Sequence, residues 1–327
     1  MKLHIFTVHL NPKWMEIQKR FVSRHLSKAQ IVWHPIVDSR YPKLHRISDK
    51  IFGNSVITGV RDCDHAWLSM RHAVKLSLAY DSLSPNMGDD DLVLVLDSDA
   101  FPIRDASALL EKVANDETTV VAVQRKENGD SYAHPAFCLT KKRNLDWLSQ
   151  YLPEDVDSPW LPHSVYSILN PVKRDTAGAL YQCLLKSRAK WTPLNRTNVI
   201  DYFPVLFGIY GNIVYHHGCG SRRPLVDIHR IGVKFSRRQL MNMADSYGAV
   251  GEAIYQRIKV DDEFYKLFTG EEHVGPISPR YESRMMRLTL GAYDHLDEKF
   301  TKILKKSFEK VPRRLRHPLL EKLTRMT

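Results

Sequence analysis

The chain predicts a doubly wound α/β fold with a mostly parallel, Rossmann-like sheet, and three observations carry that prediction. Leu92–Leu96 is an uninterrupted apolar run of strand length that stops at Asp97. Such a run suits a strand buried on both faces of a parallel sheet. The first forty residues read strand, helix, strand at the spacing of a crossover unit. With 327 residues, 43% hydrophobic and 26% charged, the chain can bury one sizeable α/β domain and carry an appendage.

Residues 3–8, LHIFTV, form the first strand. Asn11 caps, and Pro12 opens, a helix that runs to about His25. Ala29–Trp33 is a second strand, and Ile36-Val37-Asp38 brings an acidic residue to a loop. Residues 39–60 hold Gly53, Asn54 and Gly59 and read as loop. Asp64 caps a helix to about Tyr80, with Trp67, Met70, Val74 and Leu78 on its core face. Pro85–Asp91 is a polar turn into the central strand.

Beyond that strand, Asp105 caps a short helix to about Asn115. Thr119–Gln124 and His134–Thr140 are strands, and Lys142–Tyr151 is a helix. Residues 152–174 form a long loop rich in Pro and Trp, of a length that is usually either functional or mobile, and contact with the acceptor is one expectation for it. A helix opens at Arg174-Asp175 with Ala177, Leu180, Tyr181, Leu184 and Leu185 on its apolar face. Tyr202–Tyr215 is apolar and β-rich. After Val226 the pattern turns helical, with helices to about Lys259, over Asp262–Phe268, over Glu282–Leu290 and over Leu296–Val311. The chain therefore divides into an α/β part, 1–225, and a helical C-terminal extension, 226–327, packed on it.

Composition excludes several classes. No apolar run approaches the ~20 residues that span a bilayer, and the first residues are too interrupted for a signal peptide. Cys63, Cys138, Cys183 and Cys219 are scattered, which suggests neither a zinc site nor a disulfide framework; reduced thiols in a cytoplasmic setting are expected. The net charge of +11 favours an anionic partner. No basic patch interleaved with aromatics and no nucleic-acid motif is present, so no nucleic-acid partner is expected.

Two stretches carry chemistry. In Leu92–Pro102, LVLVLDSDAFP, a buried strand delivers Asp97 and Asp99 to the carboxyl edge of the sheet, where open α/β folds bind ligands. Two carboxylates there need a positive counterpart, and oxygen ligands one residue apart suit Mn²⁺ or Mg²⁺ shared with a phosphate. In Tyr215–Pro224, YHHGCGSRRP, a histidine ends a strand and is followed by glycines and two arginines. Imidazole can complete a Mn²⁺ sphere. Glycines admit a phosphate to the backbone, and Arg222 and Arg223 can neutralise a diphosphate.

The string around Asp97 resembles the DxD of nucleotide-sugar glycosyltransferases with the two-lobed GT-A fold. From His217 the spacing H-x-x-G-x-x-R-P is similar to the HxxGxxKP segment of the glycogenin-like glycosyltransferases, with Arg223 in the lysine's place and Leu225 where a tryptophan is usual. The tract Leu194–Arg222 also looks like a segment of bacterial sugar transferases. The resemblance covers roughly residues 1–225. It implies a GT-A-like catalytic domain with a nucleotide-binding half, 1–102, and an acceptor half, 103–225. It implies a metal held by Asp97, Asp99 and His217, with His216 as the neighbouring candidate. Thr7, Val8 and Asp38 would meet base and ribose, though Asp38 also reads as a plain loop aspartate. Ser98, Arg222 and Arg223 would face the donor. Arg61 would touch phosphate or lie in solvent. Asp175 reads either as an acceptor-side catalytic carboxylate or as a helix N-cap.

The expected activity is metal-dependent transfer of a sugar from a nucleotide sugar, a UDP-sugar first, to a hydroxyl of a glycan or glycolipid. A haloacid-dehalogenase-type phosphatase would use Asp97 as nucleophile, but its motif lies near the N-terminus with Thr or Val where Phe101 stands. A sugar nucleotidyltransferase needs a glycine-rich loop after the first strand, and TVHLNPKW at residues 7–14 has no glycine. A glycan-binding protein without catalysis has no need of the metal pair. Residues 299–327 hold ten Lys or Arg against Glu309 and Glu321, a net +8. Phe300, Ile303, Leu304, Phe308 and Val311 share one helical stripe there, which either docks on the core or lies on the anionic inner face of a membrane.

Overall fold

The computed structural model describes residues 1–58, 68–125, 132–154, 156–162, 176–200, 202, 206–218 and 250–271. A seven-stranded sheet lies at the centre. Its strands are β1 (Lys2–His9), β2 (Gln30–Asp38), β3 (Val56–Thr58), β4 (Leu92–Asp97), β6 (Val120–Gln124), β7 (Ala133–Lys141) and β8 (Trp191–Leu194), in the order β3-β2-β1-β4-β7-β6-β8. Every neighbouring pair is parallel except the two made by β7. A second sheet joins β5 (Ala100–Pro102), β10 (Val214–His216) and β9 (Gly208–Tyr210) in that order, all antiparallel. The protein is thus α/β with a mostly parallel sheet, as the apolar runs require. Leu92 to Leu96 are all buried to 1% exposure or less, because β4 sits between β1 and β7 with helices on both faces.

The helices are α1 (Met15–His25), α2 (Pro42–Phe52), α3 (Leu68–Leu83), α4 (Ser107–Ala114), α5 (Lys142–Ser149) and α6 (Gly178–Ser187). Asn11 caps as its sequence position foretold, its Oδ1 accepting the Lys13 N–H at 2.9 Å ahead of a short 3₁₀ turn, Pro12–Trp14. Residues 39–60 are not the loop their polarity suggested. Pro42 starts α2, Leu44 and Ser48 are buried, and Gly53 ends the helix at φ +86°, a left-handed conformation that suits glycine. Asp38 ends a single strand, β2, that carries Pro35 within it. The proline is tolerated because β3 pairs only from Ile36 onward, leaving β2 an edge at Pro35. Within the β-rich Tyr202–Tyr215, β9 and β10 are joined by residues 211–213, with Gly211 and Asn212 at positive φ.

The helical residues 250–260 and the short helix Lys266–Thr269 belong to the main core. Phe264 meets Phe21, Phe101 and Tyr215, each edge-on or T-shaped at 4.9–6.2 Å between ring centres. Phe268 packs on Tyr215, and Tyr255 on Trp14. The extension that the sequence sets apart from residue 226 therefore completes the same hydrophobic core over 250–271. Residues 299–327 lie outside the described residues. Among those described, no helix is long and apolar enough to cross a membrane. Cys138 and Cys183 are free thiols, and burial pushes them up to about 12 and about 11.

Two consequences are testable. Phe264→Ala should cost about 3–5 kcal/mol and keep a single urea transition; a separate early transition would mean that 250–271 folds apart from the sheet. At the amino end of the sheet, His34 is bonded to His4 at 2.9 Å. Burial, then the charges of His4 and Lys2, push it from 6.5 down to about 4. A base with a lowered folded pKa stabilises fully above 6.5 and less as pH falls toward about 4, because the unfolded chain takes the proton first. His34→Asn should therefore show a shallower fall of urea midpoint with acidification over that window than the parent protein.

Candidate active site

β4 ends at Asp97, a turn through Ser98 and Asp99 follows, and β5 leaves in the second sheet. The turn is clamped from beneath by Gln18 of α1, which is fully buried. Its Nε2 donates to the Asp97 carbonyl at 2.8 Å and the Ala100 carbonyl at 2.9 Å, and its Oε1 accepts from Thr7 Oγ1 at 3.1 Å. One side chain thus ties the end of β1, the end of β4 and the start of β5. The backbone adds a further tie, His217 N–H to the Asp99 carbonyl at 3.0 Å.

Three imidazoles surround the Asp97 carboxylate, each from a different element. His216 Nε2, on β10, lies 3.4 Å from Asp97 and 3.5 Å from Asp99. His72 Nε2, on α3, lies 3.6 Å from Asp97, its Nδ1 held at 3.1 Å by Thr176 Oγ1. His134 Nδ1, on β7, lies 4.0 Å away. The Asp97 and His72 side chains keep 20% and 17% of their exposure, whereas those of Asp99, His134 and His216 keep 8% or less, so the group opens to solvent on the side of Asp97 and His72. Donor atoms of Asp97, His134 and His216 all lie within 4.8 Å of one another. Divalent ions bind such nitrogen and oxygen atoms at about 2.0–2.2 Å, which sets neighbouring donors roughly 3–3.5 Å apart. The donor set therefore fits a divalent ion after small movements.

The histidine that faces the carboxylates is His216, not the His217 that the H-x-x-G spacing selects. Adjacent residues of a strand point to opposite faces, and the register His216↔Ala100 puts His216 over the turn. His217 enters the core instead. Its ring lies 4.6 Å from Trp14 and 4.7 Å from Phe207, and its Nδ1 is bonded to Tyr215 Oη at 2.9 Å. Burial pushes its pKa down to about 3, so it is neutral.

The other expected residues fall as follows. Thr7 and Val8 are buried at the end of β1, with the Thr7 hydroxyl spent on Gln18 and His9. Asp38 is fully buried: its carboxylate accepts from the Arg40 N–H and Nε–H, both at 3.0 Å, and from Arg40 Nη2 at 2.8 Å and Lys75 Nζ at 2.7 Å. Those bonds, Arg40 first, hold it well below the usual carboxylate range. Ser98 is half-buried in the turn. Arg61, Asp175, Arg222 and Arg223 lie outside the described residues. Gln18, His72 and His134 were not anticipated. For His134, a lone histidine at the start of a predicted strand gives no signal until β7 is paired beside β4.

No family model matches this chain, and no curated protein matches it. Solved structures with some likeness include the galactosyltransferase LgtC in complex with donor and acceptor sugar analogues, at 14% identity over 75% of this chain and 96% of that one, TM-score 0.38. The glycosyltransferase GlyE of Streptococcus pneumoniae TIGR4 is 12% identical over 59% of this chain and 45% of that one, TM-score 0.31. A197 from STIV is 12% identical over 67% and 95%, TM-score 0.34. Overlaps this loose leave the function to the chemistry of the site itself.

Replacing Gln18 by Leu keeps the volume but strands the Asp97 and Ala100 carbonyls. The expected loss is about 1–3 kcal/mol in urea unfolding. Unchanged stability would show that the clamp does not hold the turn.

Proposed function

We propose that the protein is a metal-dependent, GT-A-like glycosyltransferase that moves a sugar from a nucleotide sugar, a UDP-sugar first, to a hydroxyl of a glycan or glycolipid. One observation carries the reading: Asp97 and Asp99, at the carboxyl end of the central parallel strand, face His216 across the second sheet. Ligands of open α/β sheets bind at that edge, and a carboxylate–imidazole set is a divalent-ion set. Asp97, Asp99 and His216 would hold Mn²⁺ or Mg²⁺. When bound, the ion supplies positive charge to a departing diphosphate.

The protein's own residues do the rest. Gln18 fixes the turn so that the two carboxylates keep their spacing. Arg222 and Arg223, which follow β10 in sequence, are assigned to the diphosphate, and Ser98 to the donor. Thr7 and Val8, buried near the end of β1, would line the floor beneath the base, and Asp38, tied to Arg40 and Lys75, would serve the ribose only through that ion cluster. Asp175 is assigned to the acceptor hydroxyl. A peripheral hold on anionic lipid through 299–327 fits a glycolipid acceptor at the inner face of a membrane.

The decisive experiment is a screen of nucleotide sugars for released nucleotide, run with Mn²⁺ and again with chelator. Release with one donor class, lost in chelator, is the expected result. Asp97→Asn and His216→Ala should each cut it roughly 100-fold or more, while His217→Ala should act chiefly by lowering the urea midpoint. No release from any nucleotide sugar, with or without an acceptor glycan, would refute the reading.

A further inference from the structure

The carboxylate pair explains why an ion would bind, but not why β7 brings a third donor to the same place. Between Cys138 and His134, β7 advances four residues while β6 advances one, from Ala122 to Val123. Pro135, Ala136 and Phe137 are therefore carried on a bulge, a device that re-aims side chains beside functional sites. The residue it presents is His134, whose side chain is only 4% exposed. Its Nδ1 accepts the Ala136 N–H at 3.0 Å, so the ring carries its lone pair on Nδ1 and its proton on Nε2. That same Nδ1 lies 4.0 Å from Asp97, and the ring centre lies 5.6 Å from that of His216. That lone pair is directed at the Ala136 N–H, and the ring stands within 4.8 Å of the donor atoms of Asp97 and His216.

We propose that His134 supplies a second imidazole to a divalent ion held by Asp97 and His216, so that the site selects a nitrogen-seeking transition ion over Mg²⁺. The inference rests on the metal centre proposed above and adds to it a ligand and a selectivity. Mg²⁺ prefers oxygen donors in a near-ideal octahedron, whereas imidazole suits Zn²⁺, Cu²⁺, Ni²⁺ and Fe²⁺. Two imidazoles added to the carboxylates therefore discriminate where a pure carboxylate pair would not. The Ala136 N–H holds the ring through Nδ1, and ligation through that nitrogen would require this bond to be given up.

The full chain, stripped with chelator, is loaded with Cu²⁺ and its coordinated imidazoles are counted by electron spin-echo modulation. Two are expected; one or none overturns the proposal. Co²⁺ titration followed by its visible absorption should be competed by Zn²⁺ and left unchanged by millimolar Mg²⁺. Equal competition by Mg²⁺ overturns the selectivity. His134→Gln should weaken Co²⁺ binding roughly tenfold or more and leave one imidazole on Cu²⁺, whereas parent-like binding and count in a folded variant overturns the assignment. Should that variant not fold, His72→Gln decides: two imidazoles retained support His134, and loss of one moves the ligand to His72. A chain that binds Co²⁺ in this way yet releases no nucleotide keeps this inference and loses the glycosyltransferase reading. A chain that releases nucleotide equally with Mg²⁺ and holds one imidazole does the reverse.

Discussion

Everything at the sheet's carboxyl edge follows from placing two carboxylates at the end of a strand that is buried on both faces. Charge in such a position is costly unless donors or a cation meet it. The protein brings the donors from every side. α3 contributes His72, β7 contributes His134 and β10 contributes His216. The turn between the carboxylates cannot drift, because Gln18 holds the carbonyls on either side of it. The second sheet exists in the same service: β5 continues directly from the turn, and its pairing with β10 sets His216 over Asp97 and Asp99.

That second sheet also explains the place of residues 250–271. Phe101 of β5 and Tyr215 of β10 meet Phe264, and Tyr215 also meets Phe268, within the one main core. Phe101, two residues beyond Asp99, packs on Trp14, Phe21, Tyr215 and Phe264 at once. The turn that carries the carboxylates is therefore backed by a layer built from residues near α1, the second sheet and residues 250–271. A division at residue 225 follows the change of sequence pattern, yet the core runs across it. Helical periodicity reports which face of a segment is apolar, not which distant partner covers it.

The strand that matters most was legible because burial on both faces leaves a continuous apolar run, and its abrupt end marks the site. Helices with strong caps were legible too, as at Asn11. The segment 42–52 was not, since its apolar residues Leu44, Ile47 and Ile51 are interleaved with Lys43, His45, Arg46, Asp49 and Lys50, and only a packed neighbour tells such a stripe from loop polarity. The choice between His216 and His217 illustrates a sharper limit. Strand side chains alternate with period two, so a pair of adjacent histidines always offers one to each face. The phase comes from the pairing with β5, which no local pattern encodes. His134 depends on more still: a bulge in β7 and an antiparallel insertion beside β4.

Charge supplies the last link between this geometry and an anionic ligand. In the described part of the site, Asp97 and Asp99 are met by imidazoles rather than by lysine or arginine, while the one buried lysine nearby, Lys75, is committed to Asp38. A diphosphate approaching two carboxylates would be repelled unless positive charge were placed between them. Net charge alone does not identify where that positive charge stands: of the chain's +11, +8 belongs to residues 299–327, outside the described residues. In the proposed reaction a divalent ion held at Asp97 would supply that positive charge, with Arg222 and Arg223 assigned to the same diphosphate. In the proposed reaction, donor binding and metal binding are therefore one electrostatic event, and the imidazoles around Asp97 govern which ion can bring it about.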